Sequence, residues 1–227
     1  MKYIFGCRHG EANKNLIGVY GGKGSSLTEN GVTQITNLAK KIIPLVNKIN
    51  LPINIYISGD RVQIKESAEI LKDIFNISEI SKSEFYKPIR LGVFDGMNRE
   101  KQLTLYPDAC KAHEQWEKGL IDVTESEKLV DGMQTAKDYY NQISTFLKSI
   151  PDNTINILIG TRSDLSCLEN VIRGQSPEKY KAYKYYPFNY AQMTIAKIDA
   201  NDNIKKVNLI NEKTINNVDK FTNKIIL

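Results

Sequence analysis

Three short apolar runs, Tyr3-Ile-Phe5, Ile53-Asn-Ile-Tyr-Ile57 and Ile155-Asn-Ile-Leu-Ile159, each stop at a polar junction, and stretches of helical spacing fall between them. Runs rich in β-branched and aromatic residues, bounded by turn formers, read as buried strands. Strands alternating with helices predict an α/β fold: a three-layer sandwich whose mostly parallel sheet is flanked by helices on both faces. In such sheets ligands collect where loops leave the carboxyl ends of strands. The site is therefore expected where the loops after residues 8, 58 and 160 converge. The first junction reads Arg8-His9-Gly10-Glu11. A guanidinium grips anion oxygens in pairs, an adjacent imidazole can attack a phosphate-like group, and the glycine lets backbone approach closely. A solvated Arg-His pair at a surface strand end would carry the same letters.

The intervening segments sharpen this picture. Residues 10–26 form a polar loop with Gly18, Gly21, Gly22 and Gly24, able either to present backbone N–H groups to an anion or to serve as a flexible connection. Thr28 is placed to cap a helix whose apolar positions are Val32, Ile35, Leu38, Ala39 and Ile42, ending near Pro44 or Lys48. A second helix from about Arg61 to Phe75 turns Ile64, Ala68, Leu71 and Ile74 inward. A short connecting segment spans Ser83 to Leu91, and residues 97–140 are more polar and helical, with Trp116 and Tyr139-Tyr140 supplying bulk. Helices are expected from Thr135 to Ile150 and from Asp164 to Ile172, and antiparallel edge strands over Asn189 to Ile198 and Asn203 to Leu209. Residues 212–227 read as a tail or a short packing helix.

Composition excludes several classes. With 227 residues the chain suits one domain with an insertion and has length enough for a real core. The net charge of +5 is spread along the chain rather than gathered in a stripe with interleaved aromatics, which argues against nucleic-acid binding and mildly favours small anionic ligands. Cys7, Cys110 and Cys167 are too few and too dispersed for a disulfide framework or a zinc site; Cys7 and Cys167 read as small buried hydrophobes. No run reaches membrane-spanning length and the apolar start is too short for a signal peptide, so a reduced, cytoplasmic protein with no metal and no cofactor is expected.

Taken together, Arg8-His9-Gly10-Glu11 followed by Asn15, then Ser26-Leu-Thr-Glu-Asn-Gly-Val-Thr-Gln34, Ser58-Gly-Asp60, Ser67-Ala-Glu-Ile-Leu71, Gly92-Val-Phe-Asp-Gly96, Tyr106-Pro107 and Trp116 resemble the histidine phosphatase superfamily, the phosphoglycerate mutase-like fold. The resemblance spans about residues 2–200. It implies a helical lid insertion over about residues 93–140 that covers the pocket. It also implies a phosphate pocket of two histidines and two arginines, with an acid to protonate the leaving oxygen.

Position by position, the resemblance makes His9 the nucleophile, Arg8 the first phosphate clamp and Asn15 the pocket asparagine. Elsewhere the pattern departs. Gln63 stands where a second arginine is usual, with Arg61 two residues earlier and, on a regular helix, pointing away. Arg162 stands where the second histidine is usual. The chain has only two histidines, and the other, His113, reads as a solvated surface residue of the lid. Pro88 occupies the usual acid position, and Gly132-Met-Gln134 replaces another family stretch. Glu11, Asp60, Asp95 and Asp164 are the remaining candidates for the acid.

A lost acid typically costs about 10²–10⁴-fold in rate and a lost charge-stabilising donor about 10²–10³-fold. Arg162, always charged, still lets two guanidiniums hold a dianion. The expected activity is therefore binding of a phosphorylated small molecule or phosphate-like anion, at Arg8, Asn15, Arg61, Gln63 and Arg162, with weak or no phosphomonoesterase turnover at His9. The alternatives are a working phosphatase with a relocated acid, and a non-catalytic interaction scaffold.

Overall fold

A computed structural model describes residues 1–199 and 204–210 of the chain. Among them, six strands form one sheet in the order β3-β2-β4-β1-β5-β6. Strands β1 (Lys2–Arg8), β2 (Ile53–Ile57), β3 (Ser81–Lys82) and β4 (Ile155–Gly160) run parallel. Strands β5 (Met193–Ile198) and β6 (Ile204–Ile210) close one edge antiparallel. The expected α/β sandwich is the observed fold. The tail at 212–227 lies outside the described residues.

The central strands β1 and β4 are buried on both faces and so are mostly apolar along their length. Tyr3, Phe5, Cys7, Ile155, Ile157 and Ile159 pack on one face against α2 (Glu29–Ile49) and α3 (Val62–Phe75). Ile4, Leu158 and Ala196 pack on the other against α7 (Ala136–Ser149) and α8 (Arg162–Ile172), which contribute Tyr139, Ile143, Phe146, Leu165 and Leu168. Alternation along β1 and β4 follows from the two-residue period of a strand. Cys7, Cys110 and Cys167 are all buried and unpaired.

Helix α2 starts as its sequence predicts, the Thr28 hydroxyl accepting from the Gly31 N–H at 2.9 Å. It does not stop at Pro44 but runs to Ile49 and ends on Asn50 in the left-handed conformation, φ 51°. Proline removes one helical hydrogen bond, and because Pro44 and Lys40 are exposed, water can serve the freed carbonyl. Val32, expected on the inner face, is 45% exposed. Helices α4 (Arg99–Leu105), α5 (Pro107–Glu117) and α6 (Val123–Glu127) fill the region between β3 and α7. No helix of the described residues is long and apolar enough to cross a membrane.

The start of α2 abuts the exit of β1. A Cβ on Gly10 would lie 2.4 Å from the Gly31 carbonyl oxygen, and one on Gly31 would lie 2.0 Å from that of Glu11. Only glycine at both positions permits this backbone approach. The Glu11 carboxylate is drawn the same way, accepting from the Thr28 hydroxyl at 2.8 Å and from Asn30 at 3.3 Å. The Arg8-His9 pair is thus clamped between a buried strand and a helix start.

Candidate active site

Arg8 and His9 are the last residues of β1 and the first beyond it, held by backbone bonds from Arg8 N–H to Gln192 (3.0 Å) and from His9 N–H to Gly160 (3.1 Å). His9 is 3% exposed. Its Nδ1 lies 2.6 Å from the Gly10 carbonyl oxygen. A carbonyl only accepts, so Nδ1 carries the proton and Nε2 keeps a free lone pair. Burial first, then the Arg8 charge, push the imidazole down to about 3, against weaker support from the Gly10 carbonyl. His9 is therefore neutral and nucleophilic over the whole physiological range.

Arg8 is 5% exposed, donates to the Phe188 carbonyl at 2.6 Å, and stacks 3.9 Å from the Tyr190 ring centroid. Burial first, then the charge of Arg162, lower it to about 10, so it stays cationic. Its Nε is buried without a hydrogen-bond partner.

Arg61 stands at the irregular start of its helix. It is not in the helix but caps it, with extended dihedrals (φ −63°, ψ 134°). The face rule for i and i+2 holds only inside a helix, and so Arg61 reaches the same cavity wall as Arg8, 3.9 Å from Asp95. Gln63, at the usual arginine position, is completely buried. Its Oε1 accepts from Ser25 N–H at 3.2 Å while its Nε2 has no partner. Asn15 Oδ1 accepts from Ala12 N–H at 3.1 Å, on the same wall. Arg162 opens α8, is exposed, and donates to the Tyr185 hydroxyl at 3.2 Å. It still borders the cavity, and its charge acts on Arg8.

These residues line one cavity of about 500 Å³. Lys14 joins them, a residue that sequence reasoning passed over although it stands between Arg8 and Asn15. Its Nζ donates to the Gly21 carbonyl at 2.6 Å. Burial and then Arg61 lower it to about 8, with Asp95 opposing. Tyr185 and Tyr190 were also missed; they arrive from a loop far along the chain, and nothing in their neighbourhood marks them. His113 is another correction: it borders the cavity beside Trp116, ring centroids 5.2 Å apart, and is paired with Glu117 at 3.4 Å.

The acid candidates are mostly engaged elsewhere. Asp164 is wholly buried, accepting from the Ser58 hydroxyl (2.6 Å), the Tyr139 hydroxyl (2.7 Å) and Thr161 N–H (2.8 Å). Asp60 is exposed and pairs with Lys65 and Lys82. Glu11 accepts from Thr28 and Asn30 at the start of α2, as above. Only Asp95 adjoins the cavity's cations, through Arg61, and it also accepts from Gly22 N–H at 2.9 Å. Pro88 packs against Gly59. Glu127, also in the cavity lining and not foreseen, is half-buried; burial raises its carboxyl above the usual range despite a 2.6 Å bond from Ala136 N–H.

Comparison with known proteins follows the same lines. The family described as the histidine phosphatase superfamily (branch 1) matches residues 4–208. The fold is similar to that of phosphoserine phosphatase from Entamoeba histolytica, solved with 3-phosphoglyceric acid (TM-score 0.69, 18% identity, 95% of this chain and 100% of that one). It is similar also to YhfR of Bacillus stearothermophilus (TM-score 0.70, 19% identity, 91% and 96%). A mycobacterial glucosyl-3-phosphoglycerate phosphatase, solved with VO3, superposes at TM-score 0.69 with 15% identity over 92% and 97% of the chains. No curated protein is a significant match to the sequence.

Proposed function

The chain belongs to the histidine phosphatase superfamily, branch 1, and on that premise we propose that it binds the phosphate of a phosphorylated small molecule beside His9 and turns it over slowly. Arg8, Lys14, Arg61 and Arg162 supply charge, and Asn15 and Gln63 amide groups. The helical insertion over about residues 93–140 acts as the lid over this pocket.

One observation carries the reading. Arg8 Nε and Gln63 Nε2 are buried donors without acceptors among the described residues, on two different elements, and both side chains border the cavity next to His9. Buried donors are paired in nearly all folded proteins, and leaving one unpaired costs about 1–3 kcal/mol. An oxyanion drawn against His9 offers the acceptors that the fold withholds, and its charge answers four cations. The family arginine lost at Gln63 is replaced by Arg61, whose place at the helix cap brings it in.

In the reaction, Nε2 of His9 attacks phosphorus and the ester P–O bond breaks, leaving the oxygen to be protonated. Water then attacks phospho-His9 and releases phosphate. The cations stabilise charge on the transferring group. Slow turnover follows from the leaving oxygen: Glu11, Asp60 and Asp164 are tied up in structure, and a missing acid costs about 10²–10⁴-fold. A second reading, full phosphomonoesterase activity, is favoured by Glu127, whose raised carboxyl faces the cavity as a general acid would.

Calorimetry with inorganic phosphate, and phosphohistidine detection under acid-sparing conditions with p-nitrophenyl phosphate, test the proposal. Saturable binding weakened about 10–100-fold in Arg8→Ala, with slow labelling lost in His9→Ala, is expected. Binding indifferent to Arg8→Ala overturns it, and brisk alkyl-phosphate turnover that collapses in Glu127→Gln establishes the second reading instead.

A further inference from the structure

The cavity is much larger than a phosphate. At about 500 Å³ it falls among sites that enclose drug-sized ligands, roughly 300–1,000 Å³. The cations cluster where β1, α3 and α8 meet, and the remaining wall has a different chemistry. Trp116 stacks with Tyr183 (centroids 6.3 Å apart, planes at 20°) and meets Tyr185 edge-on at 5.6 Å. Val123, Val130 and Leu91 add apolar surface to the same cavity, among polar side chains that include Glu117, Glu127 and Gln134. The indole N–H of Trp116 is buried and has no hydrogen-bond acceptor among the described residues. Tyr185 also holds Arg162 through its hydroxyl, joining this aromatic wall to the cations.

We propose that this wall is a subsite for the leaving group, and that the preferred ligand is a phosphomonoester of a flat aromatic alcohol bearing a hydrogen-bond acceptor for Trp116. This rests on the phosphate reading above. An aromatic ring laid against Trp116 and Tyr183 gains offset stacking and buries apolar area, whereas a glycerol- or sugar-sized body leaves that wall wet. Aryl oxides are also better leaving groups than alkoxides, which suits a site short of a strong acid.

Trp116 is the only tryptophan of the chain, so quenching of intrinsic fluorescence reports occupancy of this wall directly. Calorimetry and fluorescence titrations would compare inorganic phosphate, glycerol phosphate, phenyl phosphate and 1-naphthyl phosphate on the His9→Ala protein, which cannot consume them. Expected are affinities for 1-naphthyl phosphate about tenfold or more above that for inorganic phosphate, with quenching by the aryl esters only. Trp116→Ala should remove that tenfold while leaving inorganic phosphate unchanged, and Trp116→Phe, which keeps a ring but loses the N–H, should fall between. Aryl esters that bind no more tightly than phosphate, or a Trp116→Ala protein that loses both ligands equally, overturn the subsite. Aryl binding that depends on Trp116 without any phosphate binding keeps the subsite and overturns the phosphate cradle. Absence of all binding overturns both.

Discussion

The two walls of the cavity are built differently. The cationic floor comes from the ends and exits of β1, the caps of α3 and α8, and buried groups pinned by backbone: His9 to Gly10 and Gly160, Arg8 to Gln192 and Phe188. The helices of residues 99–127, which line another part of the cavity, carry half-exposed side-chain pairs such as Arg99–Glu114 and His113–Glu117. Groups fixed by a sheet keep sub-ångström positions at no further entropic cost, which reaction chemistry needs. Pairs between long exposed side chains are worth little and shift easily. The floor is suited to chemistry and these helices to fitting a ligand body.

Breaking the floor should have the largest effects. His9→Ala is expected to abolish the phosphoenzyme completely while phosphate still binds, as read by acid-sparing phosphohistidine detection; label persisting in the variant would move the nucleophile elsewhere. Next, Asp164→Ala should cost about 3–5 kcal/mol of stability in chemical denaturation, because it leaves Ser58, Tyr139 and the α8 start without their buried acceptor. Arg8→Ala should weaken phosphate binding by about 10–100-fold, the value of a charge-assisted pair.

Titration sharpens the contrast further. Lys14, lowered to about 8, is charged below that pH and loses its charge above it. Phosphate affinity should rise as the dianion forms and then decline as pH passes about 8, and the upper decline should flatten in Lys14→Met. His9 runs the opposite way for stability: its folded value of about 3 lies below the ordinary 6.5, so the unfolded chain takes up the proton first. Stability is therefore expected to fall with acidification between about 6.5 and 3, and to fall less in His9→Gln. The smallest effect belongs to the helices of residues 99–127. His113→Ala should change stability by no more than about 1 kcal/mol and leave inorganic phosphate affinity as it was; a large loss of affinity would mean these helices share in holding the anion.

Much of this molecule could be read before it was folded. The period-2 and period-3.6 patterns placed β1, β2, β4, α2, α3 and α7 to within a few residues, since burial on two sheet faces leaves a direct imprint on residue order. The Arg8-His9-Gly10 junction stood out for the same reason: it sits in sequence where the strand ends. Other features left no such imprint. Whether Arg61 points into or away from the site depended on a single dihedral at the helix cap. His113 read as solvated because nothing local shows that α5 turns it toward a cavity. Tyr185 and Tyr190 come from the loop that precedes β5, and Lys14 looked like one more loop lysine.

Local order of residues therefore decided the α/β class, the family and the place of the Arg8-His9 pair at a strand end, because those depend on contacts between near neighbours and on strand periodicity. Tertiary packing alone decided which cations gather around His9, which carboxylates are spent on structure, and which aromatic rings face the remaining space. Those properties arise where elements distant in the chain meet, and a side chain's charge and accessibility are set there by its surroundings rather than by its place in the sequence.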